Sequence, residues 1–347
     1  MARFGMMGVV LAGLATLAGC SGTGDQAAQE GGVLNLYTAR HYDSDQALYD
    51  RFKQETGITV NVIEGSPDEL VARMTSEGAN SPADLFVAAD AGALWRAQQA
   101  GLFQPVTSET LNSRIPANLR EPSGLWYGFV RRARVVAYDP AKVQPDEIDD
   151  YADLASPRFR GKLCVRSSDS VYNLSLVGAL IEAWGEERAG EWVRGVVANM
   201  ARPPEGGDRD QIRAVAAGVC EVALTNSYYY IRMANSDDAA DREVTQKVSL
   251  GFPSLNGEGA HVNISGGGVA ANAPNRDNAI RFLEFLASPE SQTYIAANNN
   301  EFPASPDVPA PAPVDAYANF TANPMSVAAF AARQPQAQSL MSAGGWR

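Results

Sequence analysis

The chain has little of the material from which enzymes and nitrogen- or sulfur-based metal sites are made. Of its 347 residues two are histidine, His41 and His261, and three are cysteine, Cys20, Cys164 and Cys220. No Gly-x-Ser-x-Gly segment accompanies them, so an exported hydrolase of the Ser-His-Asp kind has almost nothing to build on. The run Ser265-Gly266-Gly267-Gly268 lacks a following Lys-Ser/Thr, which reads as a strand bulge or a close backbone contact rather than a phosphate cradle. Basic residues are outnumbered, 28 against 40 acidic, and the formal charge of −12 argues against nucleic acid and against an electrostatic hold on anionic lipid. Beyond the first residues no apolar run approaches the roughly 20 residues that a membrane span takes. No internal repeat of fixed period is present.

What is there begins with an export signal. Met1-Ala2-Arg3, an apolar stretch from Phe4 to Thr16, and small residues before a cut site make residues 1–19 a secretory leader rather than a span. Leu17-Ala18-Gly19-Cys20 resembles the bacterial lipoprotein box, which implies lipidation of Cys20 and anchoring to the membrane through lipid alone. Residues 20–32 then form the lipidated end and a flexible tether. The remainder, roughly 300 residues, suits two lobes better than one core. With Cys20 lipidated, Cys164 and Cys220 are an even pair in an oxidising compartment. Either they form a disulfide, closing a loop worth roughly 4 kcal/mol in the chain-entropy model, or they are two small buried thiols.

Periodicity predicts an α/β fold. A strand at Val33–Tyr37 leads to a helix capped by Asp43 or Ser44 and stopped by Gly57. A strand at Ile58–Ile63, a helix opened by Pro67 and ended by Gly78, a strand at Asp84–Ala89 and a helix at Ala93–Ala100 follow. This β-α-β-α-β-α order predicts a mostly parallel sheet flanked by helices, with ligands outside the carboxyl ends of its strands. A second unit repeats the plan less regularly, with strands at Lys162–Arg166 and Val219–Thr225 and helices at Leu174–Trp184, Arg188–Ala198 and Asp210–Ala217. Arg134–Tyr138 leads out of the first unit and Val248–Phe252 leads back toward a strand at His261–Ala270, so the chain crosses twice and makes a hinge. Residues 33–135 and 252–347 are assigned to lobe 1 and residues 136–251 to lobe 2. A helical pair at Arg276–Ala297 packs on lobe 1, and the proline-rich Pro303–Pro313 is a surface wrap or linker.

Tyrosine recurs where those strands end. Tyr42 follows the first strand, Tyr172 follows the strand at Lys162, and Tyr228-Tyr229-Tyr230 follows the strand at Val219. Three consecutive tyrosines cannot share one core face in a strand or a helix. A strand turning into a helix would let Tyr228 and Tyr229 converge beside the helix N-terminus, whose partial positive charge favours phenolates. The other reading is an aromatic patch half buried between domains. Phenolate is a hard anionic oxygen donor with a free pKa near 10, so at neutral pH it needs a highly charged cation. Fe(III) fits that demand, whereas Ca(II) and Mg(II) prefer carboxylates and carbonyls, and Zn(II) prefers nitrogen and sulfur.

His41-Tyr42, Tyr172 and Asn226-Ser227-Tyr228-Tyr229, together with Ala201–Ala217 and His261-Val262-Asn263-Ile264-Ser265-Gly266, resemble the ferric-iron-binding proteins of ABC transporters (FutA/FbpA type) from about Val33 to Arg347. The resemblance implies a two-lobed class II periplasmic binding protein, with two mostly parallel sheets and a hinge of crossing strands, that closes on one Fe(III) and hands it to a membrane permease. It implies Tyr42, Tyr172, Tyr228 and Tyr229 as ligands, with His41 as a fifth. Some members of the family use a glutamate after the third strand; here Phe86-Val87-Ala88-Ala89-Asp90 has none, which favours a tyrosine-rich site. Four phenolates on Fe(III) leave the site near −1, a charge that a guanidinium would offset. Arg132 and Arg232 are the candidates, and Arg132 could instead hold carbonate or another small synergistic anion. Tyr230 is expected to pack, and His261 to be structural. The expected species is a lipid-anchored periplasmic monomer. Two alternatives stand beside it: an aromatic wall for an organic solute such as a polyamine or sugar, and the poorly equipped hydrolase.

Overall fold

The computed structural model describes residues 31–40 and 42–347. The leader, Cys20 and His41 lie outside the described residues. The first half runs β1 (Val33–Thr38), α1 (Asp45–Thr56), β2 (Thr59–Glu64), α2 (Pro67–Glu77), β3 (Leu85–Ala88), α3 (Ala91–Gln99) and α4 (Glu109–Arg114), then the long β4 (Tyr127–Tyr138). The second half holds β5 (Leu163–Cys164), α5 (Val171–Trp184), α6 (Glu186–Asn199), α7 (Asp208–Ala216), β6 (Val222–Asn226), α8 (Ser227–Ala234), α9 (Ala239–Gln246) and β7 (Ser249–Gly251). The chain returns through β8 (Val262–Val269), α10 (Arg276–Leu286), α11 (Pro289–Asn299) and β9 (Phe302–Pro303), and continues to α12 (Val327–Ala331) and α13 (Gln334–Ala343).

Local chemistry sets the boundaries. Ser66 and Glu69 form a reciprocal capping box around Pro67 at the start of α2, satisfying backbone donors that the first turn leaves unpaired. Gly57 ends α1 with φ 74°, a left-handed conformation natural to glycine. Ser44, although placed to cap α1, spends its hydroxyl on Asn299 Oδ1 at 2.8 Å. Leu48 and Phe52 bury one face of α1, and Phe52 meets Phe282 of α10 edge-on at 4.9 Å.

The strands follow the order β2-β1-β3-β8-β4-β6-β5, with β7 and β9 also on β4. Among the strands of the described residues, parallel pairing is confined to β1–β2, β1–β3 and β5–β6. Every pairing of β4 and β8 is antiparallel, so the two expected parallel sheets are the ends of one mixed, curled sheet. The physical reason lies in β4, which serves both halves. Its residues Tyr127–Ala133 pair with β8 while Arg134–Tyr138 pair with β6, so the change of partner falls between Ala133 and Arg134. At that crossing the Tyr151 hydroxyl donates to Arg134 O at 2.5 Å and accepts from His261 N at 3.1 Å.

The glycine run of β8 is a close-contact strand. A Cβ on Gly268 would stand 2.2 Å from Leu125 O, and one on Gly266 2.5 Å from Tyr127 O. The bulge opposite falls on β4, where Phe129 is the extra residue between Gly128 and Val130. Cys164 and Cys220 are joined by a disulfide. The helices α12 and α13, assigned by sequence to the first lobe, pack on α5 and α6, with α12 also on α3. The cause is apolar: Val327, Phe330 and Ala331 bury against α5, a helix apolar nearly all round.

Candidate metal centre

Tyr228 and Tyr229 sit in the first turn of α8, immediately after β6, so the strand-to-helix turn expected from the sequence is present. Asn226 fixes it: its amide donates to Asp208 Oδ2 at 2.7 Å, and its side-chain oxygen accepts from Arg134 Nη1 at 3.1 Å. Tyr172 occupies the first turn of α5 rather than a loop, because the strand before it is only Leu163–Cys164. Asn173 secures that turn by donating to the carbonyls of Arg166 and Ser167. Arg134 also donates through Nη2 to Asn173 Oδ1 at 2.7 Å, so one guanidinium from the crossing strand orders both tyrosine-bearing helices.

The phenols meet. Tyr172 and Tyr228 place their hydroxyls 3.0 Å apart, and the Tyr228 and Tyr229 rings lie 4.1 Å centre to centre. Tyr42 comes from the other half, and Arg232 stands between it and Tyr228, 6.0 and 5.9 Å from the two ring centres. Burial pushes the Tyr42 phenol up to about 12, assisted by Glu301 and opposed by Arg40 and Arg132. Tyr172 and Tyr228 are also raised, first by burial and then by their phenolic neighbours. These groups are therefore neutral at pH 7 until a strong Lewis acid displaces their protons. Tyr230 turns away and donates to Val248 O at 2.7 Å.

Five guanidiniums surround the cluster. Arg40 lies 4.7 Å from the Tyr42 ring centre and is gripped in a two-point ion pair by Asp45. Arg166 and Arg134 approach the Tyr172 ring at 5.2 and 5.8 Å. Arg132, 2 % exposed, donates to Ser265 Oγ at 3.1 Å and faces Glu301 Oε1 at 3.5 Å. Its burial works against its charge, yet Glu301 and the phenols of Tyr172, Tyr228 and Tyr42 hold its pKa above the usual value. Its Nε and Nη2 atoms, one edge of the guanidinium, are buried with no hydrogen-bond partner among the described residues.

Two acidic groups escaped the sequence analysis. Glu301 is fully buried between Arg132 and Arg40, and Asp208 is fully buried against Arg134 at 2.8 Å and Arg166 at 3.5 Å. Arg40, Arg134 and Arg166 escaped it too. The doublet Arg40-His41 was visible in the sequence, but nothing there ties Glu301 to Tyr42. Asp90, which follows β3, caps α3 by accepting from Ala93 N at 3.0 Å. His261 lies behind the site, edge-on to Phe330 at 4.8 Å, and burial beside Arg134 and Arg132 lowers it to about 3, so it stays neutral. Among the described residues no group of three or more His, Cys, Asp or Glu could hold a metal ion.

Residues 47–322 match the model of the bacterial extracellular solute-binding protein family. The chain is 52 % identical over 324 residues to iron uptake protein A2 of Synechocystis sp., covering 93 % of this chain and 92 % of that one. A solved structure described as Trichodesmium IdiA (FutA) in complex with iron and citrate superposes with a TM-score of 0.88 at 50 % identity, covering 91 % of this chain and all of that one. Apo FutA2 from Synechocystis PCC6803 gives 0.87 at 52 % identity, covering 91 % of this chain and 99 % of that one.

Proposed function

This chain belongs to the bacterial extracellular solute-binding proteins, among the ferric-iron-binding members of FutA/FbpA type, and from that premise we propose that it captures Fe(III) between its lobes through tyrosinates and delivers it to an ABC permease. It is a periplasmic binding protein rather than an enzyme. The observation that carries the reading is the convergence of Tyr172, Tyr228 and Tyr229 from one half with Tyr42 from the other, inside a ring of guanidiniums. His41, adjacent to Tyr42 in sequence, is the proposed fifth ligand. Lobe 1 is proposed as residues 33–135 and 252–347 and lobe 2 as 136–251, with α13 resting on the second and α12 between the two. Cys20 is proposed as the lipidated N-terminus that tethers a monomer to the membrane.

The electrostatics support this assignment over an organic solute. A polyamine would enter a site dominated by Arg40, Arg132, Arg134, Arg166 and Arg232, whose carboxylates Asp45, Asp208 and Glu301 are already paired. Four phenolates and Fe(III) instead bring one net negative charge, which that ring accommodates. The open edge of Arg132 supports a role for a small anion such as carbonate beside the metal. Offered Fe(III)-citrate, the protein should bind one iron per chain and develop a visible phenolate-to-iron charge-transfer band. Tyr228→Phe and Tyr229→Phe should each shift or bleach it. A colourless protein that retains no iron by metal analysis defeats the proposal.

A further inference from the structure

We propose that Trp346 is a positioning residue for Tyr172, acting through the backbone of the loop that precedes α5; this rests on the reading of Tyr172 as an iron ligand. The indole N–H of Trp346 donates to Arg166 O at 3.0 Å, and Ser168 N donates to the backbone oxygen of Arg347 at 3.3 Å. Residues 166–170 lead directly into Tyr172, so the segment after α13 holds this loop at two points. The same Arg166 carbonyl accepts from Asn173, the neighbour of Tyr172. One oxygen is therefore shared between the start of the ligand helix and the far end of the chain.

Trp346 is well fixed for that task. It is 1 % exposed, its ring lies 6.2 Å from that of Trp192, and its amide donates to Met341 O at 2.9 Å. What it holds matters twice at the site. Arg166 carries the guanidinium that lies 5.2 Å from the Tyr172 ring centre and pairs with Asp208, the acceptor for Asn226 N beside Tyr228. The start of α13, the helix before that segment, is seated on the first half, where Gln334 donates to Asp90 Oδ1 and accepts from Arg96 Nη1, both at 3.2 Å. α13 and the residues after it thus span from the half that carries Tyr42 to the loop that sets Tyr172. Packing alone would be served by any large apolar ring; the hydrogen bond to the loop requires the indole nitrogen.

The test uses the full chain loaded with Fe(III). Trp346→Phe keeps an aromatic ring against Trp192 and removes the N–H. The expected result is a shifted or weakened charge-transfer band and release of iron to excess chelator about tenfold faster than wild type, the scale of one lost hydrogen bond. In a Tyr172→Phe background the same substitution should have no further effect on release, because the residue through which it acts is gone. Unchanged band and release in the single variant, or an equal acceleration in the Tyr172→Phe background, overturns the inference. A measurement free of any variant stands beside it: in ¹⁵N-labelled wild type, the Trp346 indole resonance should move when Ga(III), a diamagnetic trivalent ion, is bound, and a stationary resonance overturns it. A wild-type protein without an iron band overturns the function itself, whereas a normal wild-type band with a silent Trp346→Phe removes this inference alone.

Discussion

Tyr42 shows how single side chains tune the site in opposite directions. Its phenol is raised by burial and by Glu301, and lowered by Arg40 and Arg132. With Tyr42 as the proposed tyrosinate ligand, iron would have to displace its proton, so any change that raises this pKa would make binding more sensitive to acid, and any change that lowers it would do the reverse. Glu301→Gln removes a negative charge that raises Tyr42; the pH at which half the iron is released should fall, on the order of half a unit. Arg132→Met removes the positive charge that lowers Tyr42, Tyr172 and Tyr228 together, so the release midpoint should rise by at least as much. Titrating the charge-transfer band of both variants with a chelator present checks the pair. Midpoints moving in the same direction would refute this electrostatic account.

Elements place these side chains, and at this level part of the design is legible in the sequence. Three tyrosines soon after an apolar run, which no single strand or helix face can absorb, leave two readings, a strand turning into a helix or an aromatic patch between domains, and the structure has the first. The pairing of β4 was not legible. The sequence suggests only Arg134–Tyr138 as a segment leading out of the first unit, because Arg131, Arg132 and Arg134 interrupt the apolar pattern, and only tertiary context hands Tyr127–Ala133 to β8 and Arg134–Tyr138 to β6. Glu301 was hidden for the same reason, since it follows α11 and reaches the site by folding rather than by any local pattern. The Cys164–Cys220 disulfide belongs to this level also: it joins β5 to the turn before β6, the two strands that lead toward α5 and α8. The double substitution to alanine should cost about 2–4 kcal/mol in denaturant unfolding. The iron band should be unchanged, because Asn173, Asp208 and Asn226 order the tyrosine-bearing helices independently of it.

For the molecule as a whole the sensitive place is the crossing between its halves, where two buried guanidiniums and a buried imidazole lie close together. His261 is neutral there, lowered to about 3 by burial, Arg134 and Arg132. Unfolding frees it to titrate near its ordinary value of about 6.5. Below that pH the unfolded chain binds a proton that the folded one refuses, so the contribution of His261 to stability is complete above about 6.5 and is lost as pH falls toward 3. The apo protein should therefore lose thermal stability steadily from neutral pH to pH 4. His261→Gln, which cannot take up that proton, should flatten this acid limb even if its stability at pH 7 is lower. Melting curves of both apo proteins at pH 7.5, 6 and 4.5 separate this effect from iron release, because no phenolate is formed without the metal. Parallel acid limbs in the two proteins would mean that the crossing is not what makes the folded protein sensitive to acid.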